Sequence, residues 1–319
     1  MNKSIKTNVP LENKKVIKTK NSIYFIGGEK GGVGKSFFAR CLIDYFVFKG
    51  WQDKFLLTEG DPTINDVGCI FKDNSQEARF SDDERAWHEP NIIIDRIKEK
   101  TAVVNLPSNV MDRFNSWMDR LEILHLKEKY CQEIGYFFVS DGCWRSMQLF
   151  MRQLKLYDTN KFPHVLVLNG GRVTGSKSFE YLEKICPGSI KLLKNKEVPL
   201  LYIPKLDARV QFVCDRTNLS YTDLKNLSEQ EEELKKRFEE VIGKDEFSEL
   251  LNFDEREKLL DNMITRVTNI SGQQMFYYFV KKNQELFDQI FKDDINCPSG
   301  LKDIYETQKK ELDVDILPK

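Results

Sequence analysis

Short apolar runs recur between residues 22 and about 215, each four or five residues long and separated by stretches with helical spacing. Ile23–Ile26, Phe55–Thr58, Ala102–Asn105, Tyr136–Ser140, Val165–Leu168 and Leu200–Ile203 read as strands. They are apolar at most consecutive positions rather than at alternate ones, which predicts strands covered on both faces. Residues 36–48, 109–128, 144–156 and 177–184 carry the 3/4 spacing of helices between them. Alternation of this kind predicts an α/β fold, with a doubly wound, mainly parallel sheet flanked by helices. The charged stretch 71–98, with Trp87, His88 and Pro90, is too long for a simple connection and reads as an insertion. His88 has no partner at ligand spacing, so a structural role is expected for it.

From about residue 222 the pattern becomes helical throughout. Ser228-Glu229-Gln230-Glu231 has the form of a capping box opening a charged helix that runs to about Ile242. A second helix is expected over roughly 246–267 and a third over 273–291. The third is amphipathic through Phe276, Phe279, Val280, Leu286, Phe287, Ile290 and Phe291, a stripe that suits docking on the sheet or, alternatively, a partner surface. Pro298 and Gly300 then break the chain. The reading divides into a flexible basic tail over 1–20, a sheet domain over 21–220 and a helical C-terminal extension over 221–319.

Composition narrows the function classes. Of 319 residues, 49 are basic and 50 acidic, which excludes a strong global field for wrapping polyanions but not a local patch. The tail holds six lysines against one glutamate; it reads as a solubilising segment, with DNA or anionic lipid as the alternative contact. No apolar run approaches the ~20 residues of a membrane span. The acidic run Glu311–Leu317 argues against a basic amphipathic membrane anchor. Seven cysteines with no Cys-x-x-Cys pair suit a reducing cytoplasm and provide neither a zinc site nor a disulfide framework.

The chemistry concentrates in Gly28-Glu29-Lys30-Gly31-Gly32-Val33-Gly34-Lys35-Ser36, between a predicted strand and a predicted helix. In that context glycines turn backbone N–H groups toward a polyphosphate, and the helix N-terminus behind them favours anions. Gly31, Gly32, Val33, Gly34, Lys35, Ser36 and Phe37 are the candidate nucleotide contacts. Lys35 would reach the β- and γ-phosphates, and the Ser36 hydroxyl would hold Mg²⁺.

The loop departs from the standard pattern by Glu29 in place of Gly and by the lysine after it. Lys30-Gly31-Gly32-Val33-Gly34-Lys35-Ser36 resembles the deviant phosphate loop of the ParA/MinD family of P-loop ATPases. The resemblance implies that ATP and Mg²⁺ are bound, that a homodimer forms in the ATP state, and that Lys30 reaches the partner protomer's phosphates. Thr58-Glu59-Gly60-Asp61-Pro62-Thr63 matches the family's DxDP with Glu59 in place of the first aspartate, so Asp61 would orient the attacking water and touch the metal shell. Val104-Asn105-Leu106-Pro107 matches the Walker B strand end, with Asn105 at the aspartate that would hold a metal-bound water. An amide lacks the charge of a carboxylate, so slow hydrolysis is expected. Val139-Ser140-Asp141-Gly142 matches the strand before the helix that lines the family's dimer face. Asn169, ahead of Gly170-Gly171, matches the adenine-reading asparagine, and Ile203-Pro204-Lys205-Leu206 resembles a later turn near the base. The wording is most similar to plasmid-borne conjugation or mobilisation (TraL-like) members.

Three functions stay open at this point. The first is an ATP-dependent dimerisation switch acting in plasmid or DNA partition or in conjugative mobilisation. The second is an ATP-binding regulatory or scaffold module with little turnover, with a protein partner on its C-terminal helices. The third is a small-molecule enzyme of the same superfamily, against which the long C-terminal helices argue. Direct DNA contact would fall to the tail, Arg145, Arg152, Lys155 and Arg172.

Overall fold

A computed structural model describes residues 20–61, 65–172, 179–244 and 251–314. Seven strands form one sheet: β1 (Asn21–Gly27), β2 (Phe55–Glu59), β3 (Ser75–Glu77), β4 (Thr101–Asn105), β5 (Cys131–Ser140), β6 (His164–Asn169) and β7 (Leu200–Ile203). Their order is β3-β2-β4-β1-β5-β6-β7, and every pairing is parallel. The helices are α1 (Lys35–Phe48), α2 (Ile92–Arg96), α3 (Met111–Arg120), α4 (Ile123–Tyr130), α5 (Trp144–Leu156), α6 (Phe179–Ile185), α7 (Ser189–Asn195), α8 (Ala208–Thr217), α9 (Tyr221–Leu227), α10 (Glu231–Lys244), α11 (Phe253–Thr268), α12 (Ile270–Phe291) and α13 (Gly300–Val314).

Side chains alternate across the sheet but are apolar on both faces, as the uninterrupted runs require. Tyr24, Ile26, Val103, Phe137, Val139, Val165 and Val167 join one core with α1 and α8–α12. Ile23, Phe25, Val104, Tyr136, Phe138, Leu166 and Leu168 join a second core with α2–α7. The expected α/β fold with a sheet covered on both sides is therefore the observed one.

The amphipathic stripe of α12 is occupied by this sheet domain. Phe287 packs at 5.8 Å from the Phe38 ring and 5.5 Å from Tyr45, while Phe291 lies 5.5 Å from Tyr24 and 5.2 Å from Phe46. Tyr45 donates to Asp288 Oδ1 at 2.8 Å and Tyr24 to the Ile295 carbonyl at 2.7 Å. The stripe is thus core, and the partner-surface alternative for these particular residues is set aside.

Other expectations are corrected locally. The helix expected over 109–128 is two helices, broken where Glu122 takes a left-handed φ of 48°. Ser228 closes α9, its N–H donating to Leu224 O and its hydroxyl to Lys225 O, and α10 begins three residues later at Glu231. A capping box is present at Asn252 and Glu255, at the start of α11. The insertion 71–98 supplies the short edge strand β3 and α2, and it docks on α3 through Phe80 against Phe114 and Trp117. His88 is exposed there. The chain also turns helical again at Gly300 to form α13, whose Gln308 side chain pairs with both the N–H and the C=O of Leu200 on edge strand β7. Residues 1–19, most of the basic tail, lie outside the described residues, as do Pro62, Thr63 and the last five residues.

Candidate nucleotide site

β1 lies at the centre of the sheet, where the connections reverse direction, and the loop leaving its C-terminal end sits at the position where open α/β sheets hold ligands. The loop runs from Gly28 to Gly34 and feeds directly into the 14-residue α1. Gly34 has φ 102°, and a Cβ built there would run into Asn169 Nδ2, so both backbone geometry and space call for glycine. Gly31 and Gly32 are exposed at the loop mouth, while Val33 is buried beneath it.

Two side chains, Asn169 and Glu29, fix this loop from below and from the side. Asn169 is 5% exposed; its Nδ2 donates to Val33 O at 2.9 Å and its Oδ1 accepts from Gly171 N at 2.9 Å. One amide hydrogen is thereby committed to the loop and the other is left over. Gly170 N donates to Ile203 O at 2.9 Å, which brings the ends of β6 and β7 together beside Asn169. Glu29, the residue that breaks the standard pattern, has a positive structural role. Its Oε1 accepts from Val110 N at 3.1 Å and Met111 N at 2.7 Å, capping the orphan donors of α3, and its carbonyl accepts from Asn109 N at 3.2 Å. Burial raises the Glu29 carboxyl, and the two N–H donors partly offset this.

Lys35 is the first residue of α1 and 9% exposed, with Nζ donating to Ser108 Oγ at 2.7 Å. Burial lowers its ammonium to about 8, with Glu29 pulling the other way. An ammonium in a dry position at a helix N-terminus gains most from an anionic ligand. Lys30 leans the other way across the mouth. It pairs with the Asp141 carboxylate and approaches Cys143 Sγ at 3.4 Å. Burial alone would raise the Asp141 carboxyl, but Lys30 and the Cys143 N–H hold it below its ordinary value. Asp141 raises the Lys30 ammonium in turn.

At the ends of β2 and β4 a polar cluster reaches Ser36. Asn105 Nδ2 donates to Glu59 Oε2 at 2.8 Å and lies 3.3 Å from Ser36 Oγ. Asn105 Oδ1 is buried without a hydrogen-bond partner. Glu59 is 1% exposed, and its Oε1 accepts from Val67 N at 3.1 Å and Gly68 N at 3.0 Å. Burial raises the Glu59 carboxyl, opposed by these three donors. Asp61 follows Gly60, whose N–H donates to Asn105 O, so it stands at the same end of the sheet. The cluster holds a hydroxyl, a carboxylate and an unsatisfied amide oxygen, the kinds of oxygen that Mg²⁺ takes as ligands or through its waters. Among the described residues, no group of three or more His, Cys, Asp and Glu side chains offers a competing metal centre.

Beside the first turn of α1 opens a polar cavity of about 550 Å³, bounded by Ser36, Phe37 and Arg40, by the loop at 65–70, and by Gln211 and Asp215 of α8. Arg40 is braced by Asp215 Oδ1 at 2.9 Å and Leu219 O at 2.6 Å. A second cavity, about 460 Å³, lies between Tyr24, Phe137 and α13, and no loop residue lines it. Pattern reading missed Ser108, Glu59's hold on the 67–68 backbone, and Arg40. Only Glu59 carried a signal, as a carboxylate ending a strand beside the Walker B position. Arg145, Arg152 and Lys155 are exposed on α5, Arg152 lying 3.9 Å from Asp112, and Arg172 is exposed three residues past the end of β6.

The fold defines an α/β protein with a central all-parallel sheet and a glycine loop at its switch point. No family model matches the chain. Over 85 residues it is 34% identical to Protein MobD of Acidithiobacillus ferrooxidans, a match covering 26% of this chain and 37% of that protein. The similarity therefore spans little more than a third of the relative's length. Among the described residues, no helix is long and apolar enough to cross a membrane.

Proposed function

We propose that this chain is a P-loop ATPase of the ParA/MinD type that works as an ATP-dependent dimerisation switch in conjugative mobilisation or plasmid partition. The observation that carries the reading is the loop itself, with Lys35 and Ser36 at the N-terminus of α1 and Asn169 holding its backbone. Backbone N–H groups of Gly31 to Ser36 cradle the triphosphate, and Lys35 leaves Ser108 to neutralise its terminal charge. Asn169 keeps one amide hydrogen for a purine edge, and the 550 Å³ cavity beside Phe37 and Arg40 accommodates the nucleoside. When bound, Mg²⁺ screens the phosphate charge. Ser36, Glu59 and Asn105 would hold it and its waters, and Asp61 would orient the attacking water. Lys30 exchanges Asp141 for the partner protomer's phosphates in the dimer.

The name of the relative supports mobilisation over chromosome partition. DNA, or a protein complex on DNA, is the proposed cargo, and the cytoplasm the proposed compartment. A second reading, an ATP-binding module with little turnover, is favoured by the neutral Asn105 at the metal position. Equilibrium titration with a fluorescent ATP analogue tests the shared premise. Micromolar binding that is lost in Lys35→Ala supports the site, and equal binding by both proteins removes it.

A further inference from the structure

We propose that the polar cavity beside α1 is a sugar subsite, which selects nucleotides with an unmodified ribose through carboxylate acceptors at Asp215 and Asp66. The proposal rests on the nucleotide reading and names the part of the ligand that this cavity takes. The cavity begins at Ser36 and Phe37, where the phosphate loop passes into α1, and continues past Arg40, one turn further along that helix. A nucleotide whose phosphates lie on the loop has its nucleoside left to fill the remaining space of about 550 Å³.

The lining decides which chemistry is accepted. Asp66 stands on the loop after β2 and Asp215 on α8, and among the described residues Arg40 is the one Lys or Arg that lines the cavity. That cation is already matched. Arg40 is 5% exposed; its Nη1 donates to Asp215 Oδ1 at 2.9 Å, and its Nη2 to Cys214 O at 3.1 Å and Leu219 O at 2.6 Å. The guanidinium also stacks on the Tyr221 ring at 4.5 Å. Arg40 thereby orients Asp215 by one oxygen, and the half-exposed carboxylate keeps acceptor capacity for a ligand. Asp44, one turn beyond Arg40, accepts from Thr222 N and Thr222 Oγ1, both at 2.9 Å, so α1 fixes both sides of the α8–α9 joint. The two walls of the cavity meet where Cys69 Sγ donates to Asn218 Oδ1 at 3.3 Å, which leaves the Asn218 amide as a donor.

A vicinal diol suits this preformed wall, because each hydroxyl can donate to a carboxylate; carboxylates hold ribose hydroxyls in this way in other α/β folds. A phosphate on the sugar would instead meet two carboxylates and no unmatched cation.

Calorimetric titration of the full-length chain in Mg²⁺ tests this with ADP, 2′-deoxy-ADP, 3′-deoxy-ADP and ADP bearing a 3′-phosphate. ADP avoids both turnover and the proposed dimer. The unaltered chain should bind the 3′-phosphate form and at least one deoxy form about tenfold or more weakly than ADP. Asp215→Ala and Asp66→Ala should each narrow these preferences. Asp215→Ala leaves Arg40 without its counter-charge; should it fail to fold, Asp66→Ala and the deoxy comparison on the unaltered chain decide by themselves. Equal binding of ADP and both deoxy forms by the unaltered chain overturns the sugar assignment and leaves the nucleotide site standing. A preference that no folded variant narrows has the same consequence. Absence of ADP and ATP binding by the unaltered chain overturns both.

Discussion

Lys30 is paired to Asp141 of its own chain across the mouth of the loop, with Cys143 Sγ beside the ammonium at 3.4 Å. The two residues are 111 positions apart and meet because β1 and β5 are neighbours in the sheet. In the proposed dimer this intrachain pair competes with the partner's phosphates. The Lys30 side chain is 41% exposed, so water screens the pair and the competition is weak. Asp141→Ala should therefore strengthen ATP-dependent self-association by at most about fivefold, read from the concentration dependence of molar mass. A weakened association would show that Asp141 acts in the dimer rather than against it.

Glu29 gives a stability prediction independent of any ligand. It caps α3 through Val110 N and Met111 N, and removing the carboxylate leaves two half-buried donors without a partner. Glu29→Ala should cost about 1–2 kcal/mol in denaturant unfolding, with Glu29→Gln recovering part of it. Glycine, the residue the standard loop would carry here, should be no better than alanine.

Asn169 should couple loop order to base choice. Asn169→Ala removes the 2.9 Å bond to Val33 O and the proposed purine contact together. Nucleotide affinity should fall about tenfold or more, and the preference for ATP over GTP should shrink. Gly34→Ala should weaken binding as well, because the added Cβ strikes the Asn169 amide at a φ of 102°.

His164 sets an acid limit on the fold. It is buried between the Tyr136 and Tyr157 rings, 5.2 and 5.8 Å away, with Nδ1–H donating to Phe162 O and Nε2 unpartnered. Burial lowers the imidazole to about 4. Between that value and about 6.5, the unfolded chain binds the proton and the folded chain does not. Stability therefore rises with pH through this window and is lost as pH falls, by up to about 3 kcal/mol from this group. Asp44 runs oppositely: burial raises its carboxyl to about 6, so its contribution falls as pH rises through that value. The difference in unfolding free energy between the unaltered chain and His164→Phe, measured from pH 7 to 4, isolates the histidine. A pH-independent difference would contradict its placement.

The strands that form the centre of the sheet were legible because each is a continuous apolar run, and a sheet covered on both faces leaves that trace. β3 was not, since Ser75-Gln76-Glu77 is a polar three-residue edge with one neighbour and no core to fill. Ser-x-x-Glu at 228–231 describes a local hydrogen-bonding capacity that does not say which helix end it serves, and Ser228 spends its N–H and hydroxyl on the last carbonyls of α9. The amphipathic stripe of α12 was visible, but a sequence cannot say that Phe38, Tyr45 and Phe46 of α1 are what it covers. At the site, the loop and Asn169 could be read from local motifs. Contacts such as Lys35 to Ser108 and Glu59 to Asn105 come from strand ends brought together by the sheet order, and spacing along the chain does not encode them.

The proposed nucleotide switch is tested most directly by molar mass. Light scattering on a sizing column would compare the unaltered chain with Lys30→Ala in Mg·ATP, in Mg·ADP and without nucleotide. The account predicts a dimer that appears with Mg·ATP alone and is absent from Lys30→Ala under every condition. A mass that does not change with nucleotide, or an ATP-dependent dimer that persists without Lys30, would contradict it.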